Sequence, residues 1–245
     1  MSPEALDGGV VHLAWTTLKS LLGAWPEPPE GWLSEAETAR LASIATPARR
    51  NQFLAGRWLL RTVLTRAHGG QPWQWRLSAP EEGPPAVTEG VASGGPLHLA
   101  LSHSGPVLAC AIGAAPVGID IEAPRRDRDI EGIAALCCDP QERAWLAEGP
   151  NSQRAARFYR IWTAKEAWLK QHADALSPWR LQQIHLCLAP SPQAPQIRSW
   201  AKPQWTLALA AAPGAPLRWH SLEPEGLAGW RVRDEARQTV ALSPA

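Results

Sequence analysis

Apolar residues recur along this chain with two periods, and those periods predict its helices and strands. Ser34-Glu35-Ala36-Glu37 has capping-box spacing and opens a helix running to about Ile44. Pro47 suits the first turn of a second helix, which runs to about Ala67 before Gly69-Gly70 ends it. On that helix Phe53, Leu60 and Leu64 form an apolar face, with Arg50, Arg57 and Arg61 in a narrow stripe beside it. A stripe at the edge of a core holds its side chains in place. A Pro/Gly-rich loop is expected from about Pro80 to Pro96.

Leu97 to Ser102 and Pro106 to Ala114 then read as strands, the second apolar throughout and so central, with Ser104-Gly105-Pro106 as the turn. In Val117-Gly118-Ile119-Asp120-Ile121-Glu122, apolar residues alternate with Gly118, Asp120 and Glu122. A period of two is a strand, so both carboxylates leave one face, beside a glycine that leaves that face open. Asp139-Pro140-Gln141-Glu142 is a second capping box, and a long helix from about Ser152 to His172 follows. Gln183 to Leu188, Gln196 to Trp200, Trp205 to Ala211 and Leu217 to Leu222 read as strands. Helices and strands mix without regular β-α-β alternation, which predicts an α+β fold with largely antiparallel sheets. Helices precede strands in both halves, an order that permits a duplicated architecture.

At 245 residues and 45% hydrophobic, the chain can bury one substantial core or two small ones. The formal net charge of +1 announces no polyanionic partner for the molecule as a whole. From Thr38 to Pro80, however, there are seven arginines and no acid, a basic region suited to an anionic small molecule or an acidic protein, or else a solvated basic helix. Cys110, Cys137, Cys138 and Cys187 follow neither metal-ligand nor disulfide spacing and read as buried free thiols of a reducing compartment. No basic-then-apolar leader and no membrane-length apolar run is present, so the expected location is cytoplasmic.

Three features carry candidate chemistry. Asp120 and Glu122 on one strand face are either an exposed acidic pair or ligands. On the long helix, Phe158, Ile161, Trp168 and Leu169 define an apolar stripe with Lys165 near its centre, and Glu166 and Lys170 flank it, four apart. A lysine in mid-stripe must snorkel or meet an anion. Ser102 and His103, at a strand end, either cap a turn or bond a phosphate. Three carboxylates with lysines beside them suit a hard divalent cation and a phosphate. The glycine patterns of Walker A, Rossmann and serine-hydrolase sites are absent.

Together and in this order, Arg49 to Arg57, Leu101 to Gly105, Val117 to Glu122 and Trp162-Thr163-Ala164-Lys165-Glu166-Ala167-Trp168-Leu169-Lys170 resemble the Sfp-type phosphopantetheinyl transferases. The resemblance spans roughly residues 47 to 170. It implies transfer of 4′-phosphopantetheine from coenzyme A to a serine of an apo acyl or peptidyl carrier protein, releasing adenosine 3′,5′-bisphosphate. Carried over by position, Asp120, Glu122 and Glu166 would bind Mg²⁺ (or Mn²⁺) with the pyrophosphate. Glu166 would help deprotonate the serine, Lys170 would assist the departing phosphate, and Asp120 would act in the same centre. Arg50, Arg57, Ser102, His103 and Lys165 would hold coenzyme A, while Glu142 falls where the family often has a further acid.

The resemblance also implies two similar subdomains, 1–115 on the coenzyme A phosphate side and 116–245 with the metal and catalytic residues, the active site at their interface, in a monomer. One departure stands out: the family's Gly-Lys-Pro is here Gly83-Pro84-Pro85, without the lysine. The rival readings are another metal-dependent phosphoryl-transfer or hydrolytic enzyme, and a module using arginines and tryptophans to bind single-stranded nucleic acid. Near-zero net charge and tryptophans within apolar segments weigh against the second, so neither nucleic acid nor membrane is expected as a partner.

Overall fold

A computed structural model describes residues 9–90, 95–125, 127–173, 178–188, 195–221 and 227–232. The first half of the chain runs β1 (Val11–Thr17), α1 (Leu18–Leu21), α2 (Glu35–Ser43), α3 (Pro47–His68), β2 (Arg76–Leu77), β3 (Val87–Glu89), β4 (His98–Ser104) and β5 (Val107–Gly113). The second half runs β6 (Gly118–Glu122), α4 (Ile130–Cys137), α5 (Pro140–Ala147), α6 (Arg154–Gln171), α7 (Pro178–Gln182), β7 (Leu186–Leu188), β8 (Ile197–Lys202), β9 (Trp205–Ala210), β10 (Leu217–Trp219) and β11 (Ala228–Val232). The architecture is mixed α and β with three sheets, and all pairings between named strands but β1–β10 are antiparallel.

Two compact units form, Met1–Val117 with Ala215–Glu223, and Gly118–Gly214 with Pro224–Ala245. In the first, the sheet order is β10-β1-β5-β4, with α3 packed on β5, β4 and β1. The fully apolar β5 is buried along its whole length between β1 and β4, the central place its composition predicts. Gly105 takes φ +53° at the β4–β5 turn, a left-handed conformation that a side chain would strain. The segment carrying β10 returns to this unit and pairs in parallel with β1, so residues 215–223 depart from the chain order of the second half.

In the second unit the order is β6-β9-β8-β11-β7, and α6 lies across β6, β9 and β8. Phe158, Ile161 and Leu169 of α6 are buried as their stripe predicts. Both units follow one connection scheme: the first strand pairs with the last of the main hairpin, β1 with β5 and β6 with β9. Each places a short capped helix before the long one. Ser34 and Asp139 cap α2 and α5, and Glu37 and Glu142 complete the two capping boxes.

The predicted elements differ from the structure mainly at their ends and in short pieces. β1, α4 and β11 lack a clear periodic signature, β3 lies in the stretch read as loop, and the strand read from Gln183 begins at Leu186. Leu222 and residues 91–94 fall outside the described residues. The four cysteines are free thiols; Cys110, Cys137 and Cys138 are buried, whereas Cys187 is half-buried. Among the described residues no helix is long and apolar enough to cross a membrane.

Candidate active site

In the second unit, β6 presents Asp120 and Glu122 on the face that α6 covers. Gly118 precedes them on that face, and its role differs from the open surface its small size suggests. A Cβ there would stand 1.9 Å from the Ala167 carbonyl oxygen and 2.4 Å from the Gln171 nitrogen. The glycine thus admits the helix backbone itself, and the close approach brings α6 side chains to the β6 carboxylates.

Lys170 Nζ lies 2.6 Å from Asp120 Oδ1 and 3.8 Å from Glu166 Oε2, one helical turn away. Asp120 is 2% exposed. Burial first, then the negative charges of Asp120 and Glu122, push the Glu166 carboxyl up to about 9, while Lys170 opposes the shift. For Lys170 burial disfavours the charged form, but Asp120 and Glu166 outweigh it and hold the ammonium above its usual range. Glu122 Oε1 lies 3.6 Å from Arg128 Nη1, a partner that sequence reasoning missed.

Among the described residues no three His, Cys, Asp or Glu side chains already stand in a metal-ligating arrangement. The donor chemistry nevertheless fits a hard divalent ion. Three carboxylates crowd closely enough to drive one of them toward protonation, with Lys170 and Arg128 as fixed cations beside them.

Lys165 departs from its expected role. It is fully buried, and its three ammonium protons meet Cys137 O at 2.6 Å, Glu142 Oε2 at 2.6 Å and Leu181 O at 3.1 Å. It neither snorkels nor offers a proton to a phosphate, because the anion it meets is internal. Glu142 is the hub of this cluster, also accepting from the backbone of Asp139 and of Leu186 at 2.9 Å each. Burial raises its pKa despite Lys165.

The arginine stripe in the first unit is organised by Glu37, which is fully buried. Arg61 grips both Glu37 oxygens and packs its guanidinium 5.1 Å from the Trp32 ring centroid. Arg57, 7% exposed, donates to Ser78 O at 3.0 Å, lies 3.8 Å from Glu37 Oε1 and is lowered to about 10 by burial. Arg50 is half-buried and donates to Leu41 O at 2.7 Å. On β4 Ser102 is buried and His103 exposed, as neighbours on opposite faces of a strand must be. Gln52 of α3 donates to Gly105 O at 3.3 Å, joining the start of the basic helix to the turn after Ser102 and His103. The departing Gly83-Pro84-Pro85 segment bends at Gly83, φ +86°, with Pro84 exposed.

Comparison with known proteins agrees with this chemistry. Residues 116–218 match the model of the 4′-phosphopantetheinyl transferase superfamily. The chain is 34% identical over 176 residues to the 4′-phosphopantetheinyl transferase HetI of Nostoc, covering 71% of this chain and 72% of that protein. It is 36% identical over 148 residues to AcpT of Salmonella typhimurium, covering 60% and 70%, and 29% identical over 157 residues to Sfp of Bacillus subtilis, covering 59% and 67%; both are named 4′-phosphopantetheinyl transferases. The chain belongs to the 4′-phosphopantetheinyl transferase superfamily. It is a transferase that moves phosphopantetheine from coenzyme A to a carrier-protein serine.

Proposed function

We propose that the Asp120–Glu122–Glu166 cluster with Lys170 is the catalytic centre of this transfer. The observation that carries the proposal is the crowding of three carboxylates around one lysine, with Glu166 driven up to about 9. Asp120, Glu122 and Glu166 would hold Mg²⁺ or Mn²⁺, which when bound supplies neutralising charge for the pyrophosphate oxygens.

The carrier serine Oγ attacks the phosphorus that bears pantetheine, and the bond from that phosphorus to the bridging oxygen breaks. With a divalent ion held there to offset the crowding and leave Glu166 ionised, the serine proton goes to a Glu166 oxygen, directly or through water, and adenosine 3′,5′-bisphosphate departs. Lys170, poised between Asp120 and Glu166, stabilises the charge on the departing phosphate. Ser102, His103 and Arg50 in the first unit are assigned to the phosphates of coenzyme A. Arg57, held in the interior by Ser78 O and Glu37, and Lys165, held by Glu142, are read as structural rather than as ligands.

We further read the two units as structural repeats. Supporting this, each has an N3 glutamate in the cap of a short helix that binds a buried base of the long helix, Glu37 with Arg61 and Glu142 with Lys165. Action on a carrier protein as a monomer in the cytoplasm completes the reading.

The test is release of adenosine 3′,5′-bisphosphate from coenzyme A. Release that requires both an apo carrier and a divalent ion supports the assignment, whereas release without any carrier would mark a hydrolase instead.

A further inference from the structure

Arg128 lies on the β6–α4 connection, six residues after Glu122, in the basic stretch Arg125-Arg126-Asp127-Arg128. Its surroundings are specific. The guanidinium carbon sits 4.6 Å from the Trp162 ring centroid and 5.6 Å from that of Tyr159, both on α6. Its Nη1 lies 3.6 Å from Glu122 Oε1, and the side chain is 19% exposed.

The Tyr159 ring is itself fixed. Tyr159 is fully buried, its hydroxyl accepts the Arg125 backbone N–H at 2.9 Å, and its carbonyl accepts the Thr163 hydroxyl at 2.8 Å. The connection is therefore tied to α6 at two points, by Arg125 to the Tyr159 hydroxyl and by Arg128 to the two rings. A planar cation stacked on rings has few positions open to it, and lysine cannot reproduce that stacking. Burial disfavours the charge of Arg128, but Tyr159, Glu122 and Glu166 together hold it protonated. The helix that carries Glu166 thus also fixes the side chain facing Glu122.

We propose that Arg128 is a positioning residue of the divalent-cation site: caged by Trp162 and Tyr159, it orients the Glu122 carboxylate for the ion. This inference rests on the three-carboxylate reading above. It makes a prediction opposite in sign to simple electrostatics. A cation near a metal site repels the metal, so as a mere nearby charge Arg128 would weaken binding, and its removal would tighten it. As an orienting partner its removal loosens Glu122 and weakens binding, as loss of outer partners does at metal sites.

The experiment measures Mn²⁺ binding to the purified full-length protein by electron paramagnetic resonance, without coenzyme A or carrier. Wild type, Arg128→Gln, Arg128→Lys and Glu122→Gln are compared, with the melting temperature of each as a control for folding. The expected result is Mn²⁺ affinity lower by about tenfold in Arg128→Gln. Arg128→Lys, which keeps the charge but loses the stacked plane, should also be weakened, with melting temperatures close to wild type. Unchanged or tighter binding in Arg128→Gln, where wild type binds and Glu122→Gln does not, overturns the inference alone. Absence of Mn²⁺ binding by wild type, or wild-type binding by Glu122→Gln, overturns the three-carboxylate reading and this inference with it.

Discussion

Gly118 on β6 faces Ala167 on α6 so closely that a single added methyl would stand 1.9 Å from the Ala167 carbonyl oxygen. Both atoms in conflict belong to regular elements, so neither can rotate away. Gly118→Ala should displace α6 from β6 and separate Lys170 from Asp120. The loss expected is at least the 1–3 kcal/mol range typical of an overpacked core, roughly, with activity falling as well. Denaturant unfolding and turnover measured together check this, and a variant of normal stability and activity would refute the close-packing account.

The Lys165–Glu142 pair separates structure from resemblance. By resemblance Lys165 holds coenzyme A, but its three protons all go to interior acceptors. Lys165→Met leaves Glu142 buried without its cation, and breaking such a pair costs about 3–5 kcal/mol. Urea titration should show that loss, and the folded fraction should keep its KM for coenzyme A. A large rise in KM with normal stability would restore the ligand role.

Glu37 and Arg61 make the corresponding pair in the first unit, joined there by two hydrogen bonds. Glu37→Gln keeps the shape but removes the charge on which Arg61 depends and near which Arg57 lies. A similar destabilisation is expected, about 3–5 kcal/mol. Circular dichroism melting reads it, and a change within the error of the measurement would count against Glu37 as the organiser of the arginine stripe.

Histidines give the first unit a pH dependence. Burial lowers the pKa of His68, and burial with the charges of Arg66 and Arg218 lowers that of His220. Both are folded as neutral rings with values below the unfolded one, so the stability they contribute is present above about 6.5 and is lost as pH falls through their folded values. Wild type should therefore lose more melting temperature between neutral and mildly acidic pH than His68→Gln does. Equal losses would show that His68 carries none of the effect.

Long periodic elements were legible in the sequence because their periods reflect one-sided burial. The long helices α3 and α6 and strands β4, β5, β6, β8 and β9 lie within a few residues of where their patterns put them. β1 was missed because the stretch from Val11 to Thr17 does not alternate cleanly, and α4 because eight largely apolar residues carry too few turns to show a period.

At the site, the carboxylates of β6 and the Glu166–Lys170 pair were legible from spacings of two and four. The fate of Lys165 was not, because its partner lies 23 residues earlier and only folding joins them. A clue existed in both capping boxes: a glutamate at N3 caps its helix and keeps acceptor capacity for a buried base, Arg61 on Glu37 and Lys165 on Glu142. Arg128 had no such signal, being one arginine among three in four consecutive residues.

The central claim, that Asp120, Glu122 and Glu166 perform the transfer, is tested most directly by weighing a carrier protein. Apo carriers are incubated with coenzyme A, Mg²⁺ and enzyme, and their intact masses are measured. A carrier should gain the mass of one phosphopantetheine with wild type, and the gain should vanish with chelator. It should fall by about 10²–10⁴ in rate with Glu166→Gln, the range for loss of a positioned general base. A gain that persists at the wild-type rate in Glu166→Gln, or in the presence of chelator, would contradict the account.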